Sequence, residues 1–526
     1  MPVLAGWNRA VKGFSWFQVR CHSMVPGIMA GLLTAASAQS GQSALDKARH
    51  ALETGHISEA EAELKTVLKN DPNSVPANLL LAAVEVDLGE IEQAVARYRA
   101  VWKIEPNSFA AHYALGMTYL RAHEMDAGVA ELRRATTLNP NQPDLAYNLG
   151  VALLDAGQPR EGLIYLDRAR ALGPNRPDLA FNLIRAELAA GSMKSALRQV
   201  QEDAKMFNED ANWNAAVGRL FINAREPQEA ITYLAAAYHL DSGNADVRRE
   251  LAGAYLASRQ PELTLEVIDN PISGEDHYLR GSAYFSRHQM PEAEQECSRC
   301  LDVDPNQPRC FLLKARIAQS LGRQDSALQF LNQATKLDRN WVEPYYSAAV
   351  SYYFERRYPE ARQSLDRALG LDPHSARSLF LYGVTLVNEG RNGEAEEYLR
   401  RAIATEPDNA RFRFHLGAAL LRDNRPVEAQ KEFEKSIQLR PNYAPPHYQL
   451  GKLLLDEDPQ AAAHELENAV RWDPTLAQAY YQLARAYAKL GQKGKSQRAL
   501  DSFTSIKKGD TQTDEQDEEM KAELQP

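Results

Sequence analysis

The chain has 526 residues, of which 44% are hydrophobic and 25% are charged. These proportions are typical of a folded soluble protein and exclude wholesale disorder. The formal net charge of -10 argues against a general nucleic-acid binder, because such proteins present a strongly basic surface. Single hydrophobic cores stop growing at about 250 to 300 residues, so this length indicates either several domains or an array of repeats.

The N-terminal segment differs in composition from the rest of the chain. It contains no acidic residue before Asp46, and three basic residues precede an apolar run at 24–35 that ends in small residues at 36–38. This order of regions predicts a secretory signal peptide at residues 1–38. Three alternatives stay open: a start further downstream, an uncleaved anchor, and a targeting peptide of another kind.

The stretch from Pro143 to Pro174 predicts a unit of two short amphipathic helices. Apolar residues recur at steps of three and four residues on both sides of Gly157, which separates the helices. The closing proline also occurs at positions 72, 106 and 140, and this spacing of about 34 residues indicates a repeat array. One helical pair cannot bury its own apolar face, so each unit must stack on its neighbours.

The pattern predicts about fourteen such units between residues 41 and 506. One unit is cut short at Asp269 to Gly274, where Pro271 and Gly274 interrupt the second helix. This break predicts a boundary between an N-terminal array, residues 39–273, and a C-terminal array, residues 274–506. Residues 507–526 are polar and acidic, and we expect this tail to be disordered.

Places in the unit, counted from Pro143 as place one, predict how its two helices meet. Small residues stand at places eight and twenty, Gly150 and Gly162 in this unit, so we expect the helices to cross closely there. With Leu at place seven, Gly at fifteen, Ala at twenty-seven and Pro at thirty-two, the units resemble tetratricopeptide repeats. The resemblance implies an all-α fold, a right-handed α-solenoid superhelix of antiparallel helix pairs.

In that family, places two, five, nine and twelve of the first helix line a concave groove that binds peptides. Here the groove places carry aromatic residues at place five: Tyr113, Tyr147, Phe181, Tyr346, Phe380, Phe414, Tyr448 and Tyr481. They carry cations at places two and nine: Arg185, Arg219, Arg309, Arg316, Arg377, Arg411, Lys452 and Arg485. Asn148 and Asn182 stand at place six, but the asparagine ladder of a sugar-transferase relative is not continued.

Two interpretations of these residues stay open. Arginine suits carboxylates and aromatic rings are common interface anchors, so the resemblance implies a protein or peptide partner, and the cations favour an acidic one. The acidic tail at 514–519 is a second possible guest. Alternatively, the rings pack between units, and the cations pair with acids in neighbouring first turns: Asp144, Asp178, Asp246 and Glu343.

The cysteines leave alternatives as well. Cys297 and Cys300 fall at apolar places of a second helix, which favours plain burial, and a disulfide between Cys300 and Cys310 is the candidate bridge. Metal binding is a weaker alternative, and we predict no metal or cofactor site. The histidines are scattered, and we interpret most of them as surface residues of the repeats.

No catalytic constellation emerges from the sequence. His464 and Glu465 lack the second histidine that a zinc protease helix needs. We therefore predict a non-catalytic interaction scaffold, exported to the periplasm or the cell exterior and engaged in cell-envelope assembly, with no membrane span after signal removal. The alternatives are an accessory subunit for an enzyme on another chain and a cytosolic or organellar adaptor.

Overall fold

The structure, a computed structural model, describes residues 41–173 and 176–509, with side chains from 44 to 507. The predicted signal peptide, Pro174 at the end of the template unit, and residues 510–526 of the predicted tail lie outside the described residues. The last helix ends at Gly509, so residues 507–509, the first three of the predicted disordered tail, are helical.

Twenty-eight α-helices and no strand make up the described ranges. The first fourteen are α1 (Gly41–Glu53), α2 (Ile57–Asn70), α3 (Val75–Asp87), α4 (Ile91–Ile104), α5 (Phe109–Arg121), α6 (Met125–Leu138), α7 (Pro143–Asp155), α8 (Pro159–Leu172), α9 (Pro177–Ala189), α10 (Met193–Phe207), α11 (Ala211–Asn223), α12 (Pro227–Leu240), α13 (Ala245–Ala257) and α14 (Pro261–Val267). The other fourteen are α15 (Gly274–Ser286), α16 (Met290–Val303), α17 (Pro308–Ser320), α18 (Gln324–Leu337), α19 (Val342–Phe354), α20 (Tyr358–Leu371), α21 (Ala376–Asn388), α22 (Asn392–Thr405), α23 (Ala410–Arg422), α24 (Pro426–Leu439), α25 (Ala444–Leu454), α26 (Pro459–Trp472), α27 (Ala477–Lys489) and α28 (Lys493–Gly509).

The chain forms two compact units, one ending at Leu263 and the other beginning at Thr264. Inside each, an odd-numbered helix other than α13 packs against the even-numbered helix that follows it, and an even-numbered helix other than α14 packs against the next pair. The predicted all-α solenoid of helix pairs is confirmed. None of the described helices is long and apolar enough to cross a membrane.

A left-handed residue at place fifteen turns the chain from the first helix of a unit to the second. Gly157 has φ 76°, its N–H donates to the Leu154 carbonyl (3.1 Å), and the Gln158 N–H donates to the Leu153 carbonyl (2.8 Å). These bonds satisfy the carbonyls that the end of α7 would otherwise leave unpaired. The turn also forms without glycine, since Arg225 has φ 64° at the same place.

The close crossing predicted at places eight and twenty is present in the template unit. A Cβ built on Gly162 would lie 2.8 Å from the Gly150 carbonyl oxygen, and one built on Gly150 would lie 2.7 Å from Cγ of Leu166. Leu149, Leu153 and Leu166 are fully buried around this contact. The first and second helices of the unit therefore meet almost backbone to backbone.

The truncated unit is also visible, since α14 has only seven residues. The following helix, α15, starts afresh with a capping box in which the Asp276 N–H donates to Oγ of Ser273 (3.1 Å) and the Ser273 N–H donates to Oδ2 of Asp276 (3.2 Å). Such a box satisfies free N–H groups at a helix start. The predicted boundary between residues 273 and 274 falls at this cap.

Candidate functional site

The aromatic residues at place five are mostly covered by neighbouring side chains. Tyr346 and Phe380 are 4% and 5% exposed, and the half-buried members are Tyr113, Tyr147, Phe181, Phe414 and Tyr448. Tyr481 differs, with 45% of its surface exposed. The Phe380 ring stacks on Phe412 with 4.9 Å between ring centres. Most of these rings therefore pack within and between units, and Tyr481 presents the most accessible one.

The two asparagines at place six bind the tyrosine of the preceding unit. Nδ2 of Asn148 donates to Oη of Tyr113 (2.7 Å), and Nδ2 of Asn182 donates to Oη of Tyr147 (3.1 Å). Four of the predicted groove residues thus meet in two pairs. Their hydrogen bonds link consecutive units, so these amides are already engaged before any peptide arrives.

The arginines at place two clamp the tyrosine and the acid of the preceding unit. Arg309 pairs with Glu275, and its guanidinium lies 4.3 Å from the centre of the Tyr278 ring. The same arrangement joins Arg377 to Glu343 (3.6 Å) and to Tyr346, again at 4.3 Å from the ring centre.

Sequence reasoning missed a third clamp of this kind. Arg176, just before α9, lies 4.5 Å from the centre of the Tyr147 ring and 2.9 Å from Oδ1 of Asp144. The clamps combine an ion pair with a cation–π contact, so they satisfy the charge and orient the ring together. The sequence signal that could have revealed the Arg176 clamp is an acid at place two together with a tyrosine at place five of the preceding unit.

The arginines at place nine are also paired with carboxylates of neighbouring units. Nη2 of Arg185 lies 2.6 Å from Asp155, Nε of Arg219 lies 2.8 Å from Glu250, and Nη2 of Arg316 lies 2.7 Å from Glu343. Burial raises the pKa of Glu250, and Arg219 opposes that rise.

Among the four acids proposed as partners from the sequence, Glu343 does meet predicted cations, Arg316 and Arg377. Asp144 and Asp178 pair instead with Arg176, and Asp246 with Arg249. Through this part of the array, the cations mainly hold units together.

Family models of the tetratricopeptide repeat match this chain at residues 45–90, 82–122, 109–142, 147–216, 308–340, 355–420 and 477–510. The matches lie in both compact units and follow the helix pairs described above. The chain belongs to the tetratricopeptide repeat family. No curated protein matches it.

Several solved structures resemble the chain at low identity. The crystal structure of the APC/C hetero-tetramer Cut9-Hcn1 is 14% identical, with a TM-score of 0.43, and the match covers 87% of this chain and 98% of that one. Yeast Tom70 is 15% identical, with a TM-score of 0.34 and coverage of 82% and 92%. YrrB, described as a tetratricopeptide repeat protein with an unusual peptide-binding site, is 23% identical, with a TM-score of 0.30 and coverage of 35% and 95%. We draw no functional conclusion from these likenesses.

The last two tetratricopeptide units differ from the earlier ones in their cations. Lys452 on α25 and Arg485 on α27 are both exposed. Within the described residues neither forms an ion pair, and Nη1 of Arg485 donates to Oε1 of Gln482 (3.0 Å). Tyr481 lies one helical turn before Arg485, so the most accessible ring and an exposed cation share one face of α27.

The remaining predicted cation, Arg411, lies at place two of α23. It lines an open cavity of about 630 Å³ together with Glu406, Asp408 and Arg440. Because carboxylates and guanidinium groups share this lining, the cavity has no clear preference for an anion. It adds little to the candidate site.

Three of the described histidines are buried, whereas seven are exposed. His112, His277 and His447 are 4%, 8% and 4% exposed. Each stands at place four, where Nδ1 hydrogen-bonds to a glutamate of the second helix, and all three stand inside units rather than on their surface. These pairs were missed because each histidine looked isolated until the units were aligned place by place.

The histidine pairs have nearly constant geometry. The Nδ1 to carboxylate distances are 2.6 Å for His112 and Glu131, 2.7 Å for His277 and Glu296, and 2.6 Å for His447 and Glu465. Glu465 therefore serves a fold contact, which agrees with our view that its neighbour His464 marks no zinc site. Buried polar groups of this kind are tolerated because they are hydrogen-bonded.

The cysteines occupy the second compact unit. The structure joins Cys300 to Cys310 in a disulfide, with 6.5 Å between their Cα atoms, and this bridge links α16 to α17. Cys297 is a buried free thiol, and burial raises its pKa to about 12. A thiol held protonated in this way is a poor nucleophile and metal ligand. No cluster of three or more candidate metal ligands occurs among the residues that the structure describes.

Proposed function

We propose that this tetratricopeptide repeat protein is a non-catalytic scaffold that binds an acidic protein segment on the first helices of its last two units. The observation that carries the proposal is the contrast between paired and exposed cations. Five predicted groove arginines form ion pairs with the protein's own carboxylates, whereas Lys452 and Arg485 remain exposed without one in the described part of the chain.

The chemistry of these units indicates the kind of partner. Lys452 and Arg485 supply positive charge, and Tyr481 supplies a ring that is 45% exposed. Exposed tyrosine and arginine are frequent interface anchors, because they offer large contact areas and several hydrogen-bond donors. We infer that the bound segment carries carboxylates and at least one apolar side chain. Binding governed by exposed charges weakens as salt rises, since the Debye length is about 8 Å at physiological ionic strength.

A direct binding measurement tests this function. The probe is a fluorescein-labelled peptide of glutamates interrupted by phenylalanine, followed by fluorescence anisotropy. It is titrated with a full-length chain in which the five acids of 514–519 are changed to their amides, so that these residues do not compete with the peptide. We expect the double variant Lys452→Gln and Arg485→Gln to bind about fivefold more weakly, because two exposed charge contacts contribute about 1 kcal/mol together. The same peptide with glutamine in place of glutamate should not bind.

A matched pair of cations serves as the control. Lys431 on α24 and Arg471 on α26 are also exposed and form no ion pair among the described residues, but they lie on second helices. Their double change to glutamine removes the same charge and should leave the affinity unchanged. Equal losses in both double variants would mean that only net charge matters, and the proposed site would then be wrong.

We propose in addition that the protein is exported and acts in cell-envelope assembly. The support is the composition of residues 1–38, with its basic, apolar and small-residue regions in signal-peptide order. N-terminal sequencing of the mature protein from its native host tests the first step. A start near Gln39 supports export, and a retained Met1 contradicts cleavage.

A further inference from the structure

The last two units present exposed cations together with aromatic side chains, and we call these residues the C-terminal basic surface: Lys452, Tyr481, Arg485, Phe503 and Lys507. The Tyr481 and Phe503 ring centres are 5.5 Å apart, so α27 and α28 share this surface. Nζ of Lys507 lies 5.4 Å from the centre of the Phe503 ring. The surface thus runs from the first helices of the last two units to the final turns of α28.

The cations of this surface are exposed because their usual partners are missing. For two earlier place-nine arginines, the carboxylate comes from the next unit: Glu250 at place six for Arg219, and Glu343 at place two for Arg316. The two residues at those places after Lys452 are Gln478 and Gln482, which are neutral.

Among the described residues, Arg485 has no carboxylate as an ion-pair partner, for a related reason. Asp456 stands where Asp155 stands for Arg185, but its Oδ1 lies 2.6 Å from Nζ of Lys489. The hydrogen bond from Lys489, with a smaller contribution from Arg485, lowers the pKa of Asp456. The carboxylate is therefore already engaged.

The segment that follows α28 has the missing charge. Residues 510–526 contain seven acidic residues and one lysine. Helix α28 carries more basic than acidic residues, and α25 and α27 add the exposed cations Lys452 and Arg485. For Arg219 and Arg316, the carboxylates come from residues that follow in the chain. Here the residues that follow the last unit are this acidic segment.

Tethering makes even a weak contact effective. A segment of seventeen residues spans up to about 55 Å when extended, and it starts seven residues after Phe503, which itself contacts Tyr481. Attachment to the same chain raises the effective concentration of such a segment, into the mM range for a short linker. An affinity too weak to hold a free peptide is therefore enough to keep the tethered segment bound.

We propose that residues 510–526 bind in cis to the C-terminal basic surface and compete there with acidic partners. This proposal rests on the proposed function, because it concerns regulation of the same surface. The acidic side chains supply Lys452 and Arg485 with the carboxylates that a following repeat would supply. The segment is thereby a built-in competitor: a partner must displace it, and weakly acidic segments are rejected.

The test compares the full chain with a tail-neutral variant, in which the five acids of 514–519 are changed to their amides. The probe is a fluorescein-labelled peptide with the sequence of residues 510–526, added in trans. We expect it to bind the tail-neutral protein at least about tenfold more tightly than the wild type, because the tethered competitor is lost. Adding Lys452→Gln and Arg485→Gln to the tail-neutral protein should weaken this binding about fivefold, and Lys431→Gln with Arg471→Gln should leave it unchanged.

The possible outcomes separate this proposal from the function on which it rests. If the glutamate and phenylalanine peptide binds the wild type and the tail-neutral protein equally, the function stands and the competition is wrong. If the peptide 510–526 fails to bind the tail-neutral protein while the glutamate and phenylalanine peptide binds it, the segment is not the occupant. If light scattering shows that wild-type mass rises with concentration and that of the tail-neutral protein does not, the segment binds a second copy, and the cis arrangement is overturned.

Discussion

Replacing Gly162 by alanine tests the helix crossing on which the repeat depends. The added Cβ would lie 2.8 Å from the Gly150 carbonyl oxygen and 3.3 Å from the Leu154 backbone nitrogen. Backbone atoms of α7 cannot rotate away as a side chain can, so the two helices must move apart. Overpacking of this kind costs about 1 to 3 kcal/mol, and the better helix propensity of alanine returns about 1 kcal/mol. We expect a net loss of stability of about 1 kcal/mol.

The control is the same substitution at Gly370 on α20, where an added Cβ meets no atom within 4 Å. There only propensity acts, and we expect a gain of up to about 1 kcal/mol. Repeat arrays can unfold in parts, so the assay combines thermal melts with hydrogen exchange of peptides from α7 and α8. Faster exchange in these peptides is expected for Gly162→Ala. A gain of stability like that of Gly370→Ala would show that the crossing is not close-packed.

Three further predictions concern the turn, a buried acid and the cysteines. Gly157→Ala places a Cβ in open space but forces a left-handed alanine, which should lower the stability of its unit by about 1 to 2 kcal/mol in the same exchange assay; no change would mean that the turn relaxes freely. Burial raises the pKa of Glu187 to about 7, above its unfolded value, so folding favours the protonated form and stability should fall as pH rises from about 4.5 to 7. Glu187→Gln should flatten that part of the melting-temperature profile, and parallel curves would contradict the assignment. In the unreduced, denatured protein, Cys297 should be the one reactive thiol beyond residue 40, and additional labelling of Cys300 and Cys310 would remove the disulfide.

The fold could be predicted from the sequence because its determinants are local and repeated. The two-helix unit follows from the apolar period, and its tight crossing follows from the glycines at 150 and 162. The same packing pattern recurs in each unit, so an ambiguous position in one unit can be interpreted from the corresponding positions of the others. The turn at place fifteen shows the limit of this approach: Arg225 adopts a left-handed conformation there with φ 64°, against its intrinsic preference, because the packing of the flanking helices outweighs the strain.

The candidate site could be predicted only in part. The sequence placed arginines and tyrosines on one face of the first helices, but it did not show which charges are neutralised. That depends on contacts between neighbouring units, such as the one between Arg316 and Glu343. The three buried histidines were missed because their partners lie on the other helix of the same unit, as Glu131 does for His112. A comparison of each place with the corresponding places of the next unit would have found both.

That comparison also gives a physical reason for the place of the proposed binding surface. Interior units exchange carboxylates with their neighbours, as Arg219 does with Glu250 of the following unit and Arg185 with Asp155 of the preceding one, so their cations stabilise stacking. In the unit after Lys452, the two places that carry acids elsewhere are occupied by the neutral Gln478 and Gln482, so Lys452 stays exposed. The helix crossings are unaffected, because they depend on other places. At place nine, positive charge joins neighbouring units in the middle of the array. At Lys452 the same positive charge is available to the proposed acidic partner.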